Sequence, residues 1–138
     1  MSQLEIISGL SADFDYDKRR NKWVLTSDSK VEKGYLKLEI CDFVGEEHSI
    51  DGYEMLNRVL VIGNCAGQRH AELILRHSDM IPEDWKKYIL IFPDTLWCDH
   101  NGYHLVPHLS CNNFGWYLNF YWLDLNCHRG HRLVRLVS

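Results

Sequence analysis

The stretch Gly115-Trp116-Tyr117-Leu118-Asn119-Phe120-Tyr121-Trp122-Leu123-Asp124-Leu125 decides the fold class. Successive side chains of a strand point to opposite faces. Trp116, Leu118, Phe120 and Trp122 therefore share one face, and Tyr117, Asn119, Tyr121 and Leu123 share the other. Period-two alternation with this aromatic content predicts a long β-strand. The first face is expected to meet the core, which leaves Tyr117, Asn119 and Tyr121 outside.

Upstream, the runs Thr95 to His100 and Tyr103 to His108 flank Asn101-Gly102. Asn-Gly between two such runs predicts a tight hairpin, because both central residues of its turn take positive φ. The register that follows pairs Asp99 with His104, Trp97 with Val106 and Thr95 with His108. Pro107 marks the second arm as an edge strand or as its end. Tyr88 to Phe92 reads as a buried strand. Arg132 to Val137, after the turn Cys127-His128-Arg129-Gly130, is expected to close an antiparallel β-meander that can curl into a small barrel.

The middle of the chain changes period. Asp51 can cap a helix, and Glu54 three residues later gives capping-box spacing. Leu56, Val59 and Leu60 follow on one side, and Gly63 suits the stop. A second helix is expected from about residues 64–67 to His77, burying Ala71, Ile74 and Leu75. Pro82 to Lys87 predicts a third, short helix with its acids first and its lysines last. Before these, Leu4 to Ile6, Lys22 to Thr26 and Gly34 to Cys41 read as strands, with a charged loop from Ser11 to Asn21. The expectation is α+β: N-terminal strands, two or three short central helices and a C-terminal antiparallel β-meander, in one domain spanning residues 1–138.

Composition narrows the function classes. The chain is 46% apolar, 12% aromatic and 25% charged, which is globular. Residues 1–60 carry 8 basic and 12 acidic side chains and residues 61–138 seven of each, which gives the net −4. There is no basic stripe, so nucleic acid is not an expected partner. The longest apolar run, Tyr88 to Phe92, is far too short to span a bilayer, and no basic-then-apolar leader opens the chain. Five cysteines without CxxC spacing predict free thiols in a reducing cytoplasm.

Three chemistries present themselves. Cys98, His100, His104, His108, Cys111, Cys127, His128 and His131 are ligand types that suit zinc, but no CxxC or HExxH spacing brings them to one ion, so no metal or other cofactor is expected. Cys65, just ahead of a predicted helix, is a candidate nucleophile, with His104 as base and Asp99 orienting it, as in a small cysteine hydrolase. The third is an aromatic surface. With the hairpin register above, Leu96, Cys98, Tyr103 and Leu105 take the core side, and Trp97, His104 and His108 join Tyr117, Asn119 and Tyr121 as a ligand-binding face for a protein or small polar ligand. This non-enzymatic binding module is the leading expectation, and the cysteine hydrolase is its alternative.

Several segments carry a resemblance: Ile81-Pro82-Glu83-Asp84-Trp85, Phe92-Pro93-Asp94-Thr95-Leu96-Trp97, Trp116 through Asp124, and Arg132-Leu133-Val134-Arg135-Leu136. Together with Gly67-Gln68-Arg69-His70-Ala71-Glu72 they resemble the C-terminal part of small uncharacterised bacterial proteins sharing an IPExW, FPxTxW, WxLxFxWLD, RLVRL pattern. The resemblance covers the second half of the chain and implies no activity, cofactor or site residue.

Overall fold

A computed structural model describes residues 2–7, 13–29 and 34–137. The elements are β1 (Gln3–Ile7), β2 (Val24–Ser27), β3 (Tyr35–Cys41), β4 (Ser49–Asp51), α1 (Gly52–Ile62), α2 (Gln68–Arg76), β5 (Ile89–Ile91), β6 (Leu96–Cys98), β7 (His104–Asn112), β8 (Gly115–Trp122), β9 (Asn126–His128) and β10 (His131–Leu136). Short 3-10 turns cover Lys18–Asn21, Ser78–Met80 and Glu83–Trp85. The α+β class is as expected. The third predicted helix is the single 3-10 turn at Glu83–Trp85, and residues 11–12 of the charged loop lie outside the described residues.

The helix boundaries follow their caps. Asp51 accepts from the Glu54 amide at 2.8 Å, and Gly63 ends α1 at φ 81°. One mixed sheet runs β1-β3-β10-β5-β7-β6-β2, with β8 on the other edge of β7. It is open, not a closed barrel. All of its pairings are antiparallel except β10 with β5. A second, two-stranded ribbon joins β4 to β9.

The meander is therefore shorter than expected. β6, β7 and β8 form it, but β10 leaves to lie between β3 and β5. That slot lets Leu133 and Val134 be buried from opposite faces. Pro107 does not end β7 or place it at an edge. Its carbonyl accepts from the Phe92 amide at 3.0 Å, so its peptide edge faces the junction between β5 and β6, where no ladder donor is needed.

Both faces of the central sheet are covered. On one face, Leu38, Leu90, Leu109 and Val134 pack against Ala71 and Ile74 of α2 and against Trp85. On the other, Ile91, Val106 and Leu133 pack against Met55 and Val59 of α1, Phe43 and Val44, and Ile50 and Cys127 of the ribbon. α2 also buries polar residues. Gln68, Arg69, His70 and Glu72 are all buried alongside its expected apolar stripe. Asp28 accepts from Thr95 Oγ1 at 2.8 Å and from Arg69, and Thr95 Oγ1 in turn receives the Gln68 amide at 2.8 Å. These bonds satisfy one helix-start donor and offset the desolvation of the polar groups.

Candidate functional site

The β6–β7 loop sets the site. Asp99 accepts at Oδ1 from the amides of Asn101 (2.9 Å) and Tyr103 (3.0 Å), and its own amide bonds the Tyr103 carbonyl at 2.8 Å. The Gly102 amide closes the turn on the Asp99 carbonyl at 3.0 Å. Only Gly102 takes positive φ, at 86°; Asn101 does not. The connection is thus a three-residue loop capped by an acidic side chain, in place of the expected two-residue turn.

That extra residue moves the register by one. Trp97 pairs with Leu105 and Cys98 with His104, where Trp97 with Val106 and Asp99 with His104 were expected. A one-residue shift sends each side chain of the second arm to the opposite face. Trp97 therefore turns toward α2 rather than toward His104 and His108. It is fully buried, and its indole nitrogen donates to Gln68 Oε1 at 2.7 Å. Trp97 cannot anchor a surface patch as the sequence reading required.

His108 is also buried, opposite Asn119 of β8, and neither ring nitrogen has a hydrogen-bond partner among the described residues. Burial pushes its pKa down to about 4. His131 is similarly held near 4, by burial and by the neighbouring His128 and His108. Tyr121 lies between these rings, 5.8 Å from His108 and 5.2 Å from His131. Its hydroxyl donates to the Asn126 carbonyl at 2.5 Å, so the ribbon half-buries it on the face expected to be open. Tyr117 and Asn119 are exposed as expected.

The even face of β8 is covered in a gradient. Trp116 and Leu118 pack against the α2 core, and Phe120 meets Trp23 edge-on at 5.4 Å. Trp122, expected in the core, lies at the strand end beyond this cover and is 48% exposed.

What gathers at that end is a different constellation. Asp99, Asn101, Tyr103, Trp122, Asp124 and Leu125 line a cavity of about 330 Å³. Trp122 Nε1 reaches Asp99 Oδ2 at 3.5 Å, and the Leu125 amide turns back onto the Trp122 carbonyl at 3.1 Å. Burial works against the Asp99 charge, but the Tyr103 and Asn101 amides outweigh it and hold the carboxyl below its usual range. Gly52 brings α1 up behind the cavity. Its amide bonds the Leu123 and Leu125 carbonyls at 3.0 and 3.1 Å, and any Cβ there would collide with the Leu123 backbone. The next residue, Tyr53, is thereby set beside Asp124, and its hydroxyl stands 3.5 Å from His104 Nδ1. Burial, then the Asp124 carboxylate, pushes the Tyr53 hydroxyl above the ordinary phenol range.

Of the sequence-derived site residues, His104 and Asp99 reach this end of the sheet; Trp97, His108 and Tyr121 do not line it. Tyr53, Tyr103, Trp122 and Asp124 were missed. Asp99 four residues before Tyr103 was the readable sign of a capped loop. Cys65 sits elsewhere, lining a cavity of about 340 Å³ with Asp28, Ser29, Asn64, His70, Asp94 and Leu136. Its thiol donates to the Val59 carbonyl at 3.3 Å, and its pKa is pushed up to about 11 by burial and then by Asp94. The expected grouping of Cys65, His104 and Asp99 does not form in this cavity. No group of three or more His, Cys, Asp or Glu among the described residues is arranged to hold a metal ion.

Comparison with family models, with curated proteins and with solved structures finds no match to this chain.

Proposed function

We propose that this protein is a non-enzymatic binding module whose contact surface is the end of the sheet around Trp122 and Tyr103. One observation carries the reading. The central sheet is covered on both faces, yet Trp122 and Tyr103, 48% and 49% exposed, rim a cavity flanked by two carboxylates. Leaving these side chains half in water forgoes burial worth roughly 1–2 kcal/mol each at about 25 cal/mol per Å², which a binding role explains. A half-exposed Trp with a polar rim is also the usual make-up of an interaction hot spot. The partner is a protein or a small polar ligand. Five unpaired cysteines support a reducing, cytoplasmic setting.

The cysteine-hydrolase alternative draws less support. Cys65 is a neutral thiol committed to a backbone carbonyl, and the histidine sharing its cavity is His70, whose Nδ1 accepts the Gly67 amide at 3.0 Å.

The test is comparative capture. Immobilised native protein and Trp122→Ala are exposed to the same cell extract, with melts recorded for both. Loss of a stoichiometric partner from a variant with an unchanged melt is expected. Identical capture by both proteins would sink the proposal.

A further inference from the structure

Resting on that binding reading, we infer that the end pocket takes a basic side chain, lysine or arginine, presented by a partner protein. The cation pairs with the carboxylates of Asp99 and Asp124 beside the Trp122 ring. The charge pattern points this way. Asp99 and Asp124 are in no ion pair among the described residues, and none of the side chains lining their cavity is basic.

The acceptor geometry agrees. Asp99 Oδ1 is committed to the loop amides, but Oδ2 has only the long 3.5 Å contact from the indole nitrogen. It keeps acceptor capacity directed at the ring edge. Asp124 is exposed on the other side of the cavity. A cation placed here is attracted by both carboxylates, and its apolar stem can lie along the Trp122 ring. A neutral ligand would instead desolvate two anions with nothing to offset the cost.

Size and surroundings favour a side chain as the source. About 330 Å³ accepts one extended side chain. The methylene stem of lysine or arginine suits the half-exposed Leu125 and Tyr103, with the charged head at the acids. The net charge of −4 adds a field of the same sign that favours approach of a basic partner.

The experiment uses the ¹⁵N-labelled full chain. Its five tryptophans give indole signals, with that of Trp122 assigned through Trp122→Phe. Blocked tripeptides with a central lysine, arginine or norleucine between glycines are titrated in, alongside a chitotriose control. The basic peptides are expected to shift the Trp122 signal saturably and to bind at least about tenfold more tightly than the norleucine peptide, the scale of one charge-assisted contact. Asp99→Asn with Asp124→Asn should erase that difference, and added salt should shrink it. Asparagine keeps the Oδ1 acceptor for the loop; should the double variant still fail to fold, Asp124→Asn alone serves, because Asp124 is exposed. Equal binding of norleucine peptide or chitotriose overturns the cation and leaves the binding surface standing. Basic peptides that leave Trp122 unmoved, while partner capture still depends on Trp122, also overturn it. If neither peptides nor capture involve Trp122, both readings fall.

Discussion

The indole nitrogen of Trp97 and the amide oxygen of Gln68 are joined by a 2.7 Å hydrogen bond in a fully buried seam between β6 and α2. The same glutamine donates from Nε2 to the Tyr16 carbonyl at 2.8 Å and to Glu72 at 3.2 Å. Trp97 thus ties the short strand β6 to the helix and, through it, to the loop before β2. Trp97→Ala is expected to cost about 3–5 kcal/mol, the range for deleting a buried Trp. Trp97→Phe should cost about 1–3 kcal/mol, because it strands the Gln68 oxygen. Urea melts check both; a loss under about 1 kcal/mol for the alanine variant would refute the anchoring role.

Trp122 should behave oppositely. At 48% exposure and with one long hydrogen bond, it contributes little packing. Trp122→Ala is expected to change stability by no more than about 1 kcal/mol. Tyr121→Ala, which removes a ring wedged between His108 and His131, should cost more than Trp122→Ala. The reverse order in parallel melts would mean that the ribbon does not cover Tyr121.

Acid should destabilise the fold before its carboxylates titrate. His108 and His131 are held neutral, with pKa values near 4 against an ordinary 6.5, so below pH 6.5 the unfolded chain binds protons that the folded one refuses. Their contribution is complete above pH 6.5 and drains as pH falls toward 4. Between pH 6.5 and 5 the loss is at most about 2 kcal/mol per ring, at about 1.4 kcal/mol per pH unit. Glu72 and Asp94, whose carboxyls burial raises, act with the opposite sign from their ordinary values upward, and so offset part of the loss within the same window. Stability at pH 7.5, 6 and 5 is the measurement, and His108→Phe should remove about half of the slope. A pH-independent stability across this window would contradict the buried neutral rings.

Thiol reactivity should be low at two sites. Cys65 and Cys127 are raised to about 11 and about 12, chiefly by burial. In the native protein at pH 7.5, iodoacetamide is expected to modify Cys98 and Cys111 before Cys65, and Cys127 last, since the thiolate is the reacting species. Mass mapping over time reads the order. Preferential alkylation of Cys65 would instead revive it as a nucleophile.

Much of the local structure was legible because its causes are local. Asp51, Glu54 and Gly63 bound α1 by hydrogen bonds and a backbone angle that neighbouring residues fix. The alternation of Leu36, Leu38 and Ile40 is the buried face of β3. The even face of β8 does turn toward the α2 core, as Trp116 and Leu118 show.

What the tertiary structure decided was where cover begins and ends, and on which edge a strand lands. Trp122 shares its face with Trp116 and Leu118 but lies past the end of the covering core, a fact of length and placement that periodicity does not contain. Tyr121 faces outward along its strand and is then roofed by a ribbon whose partner strands, β4 and β9, lie far apart in sequence. β10 carries a pattern that fits either side of a meander, and only competition among strand edges sends it between β3 and β5. The hairpin register turned on a single carboxylate. Asp99 accepts two loop amides, lengthens the turn by one residue, and so exchanges the faces of the arm that follows. The sequence determined α1 with its caps, α2 and most strands of the main sheet, because those energies are short-ranged; the ribbon strands β4 and β9, where a turn was expected at residues 127–130, and the 3-10 turn at Glu83–Trp85 were not read from it. The pocket came from the packing, because its walls are contributed by a loop, a strand end and a turn that meet only when the sheet is complete.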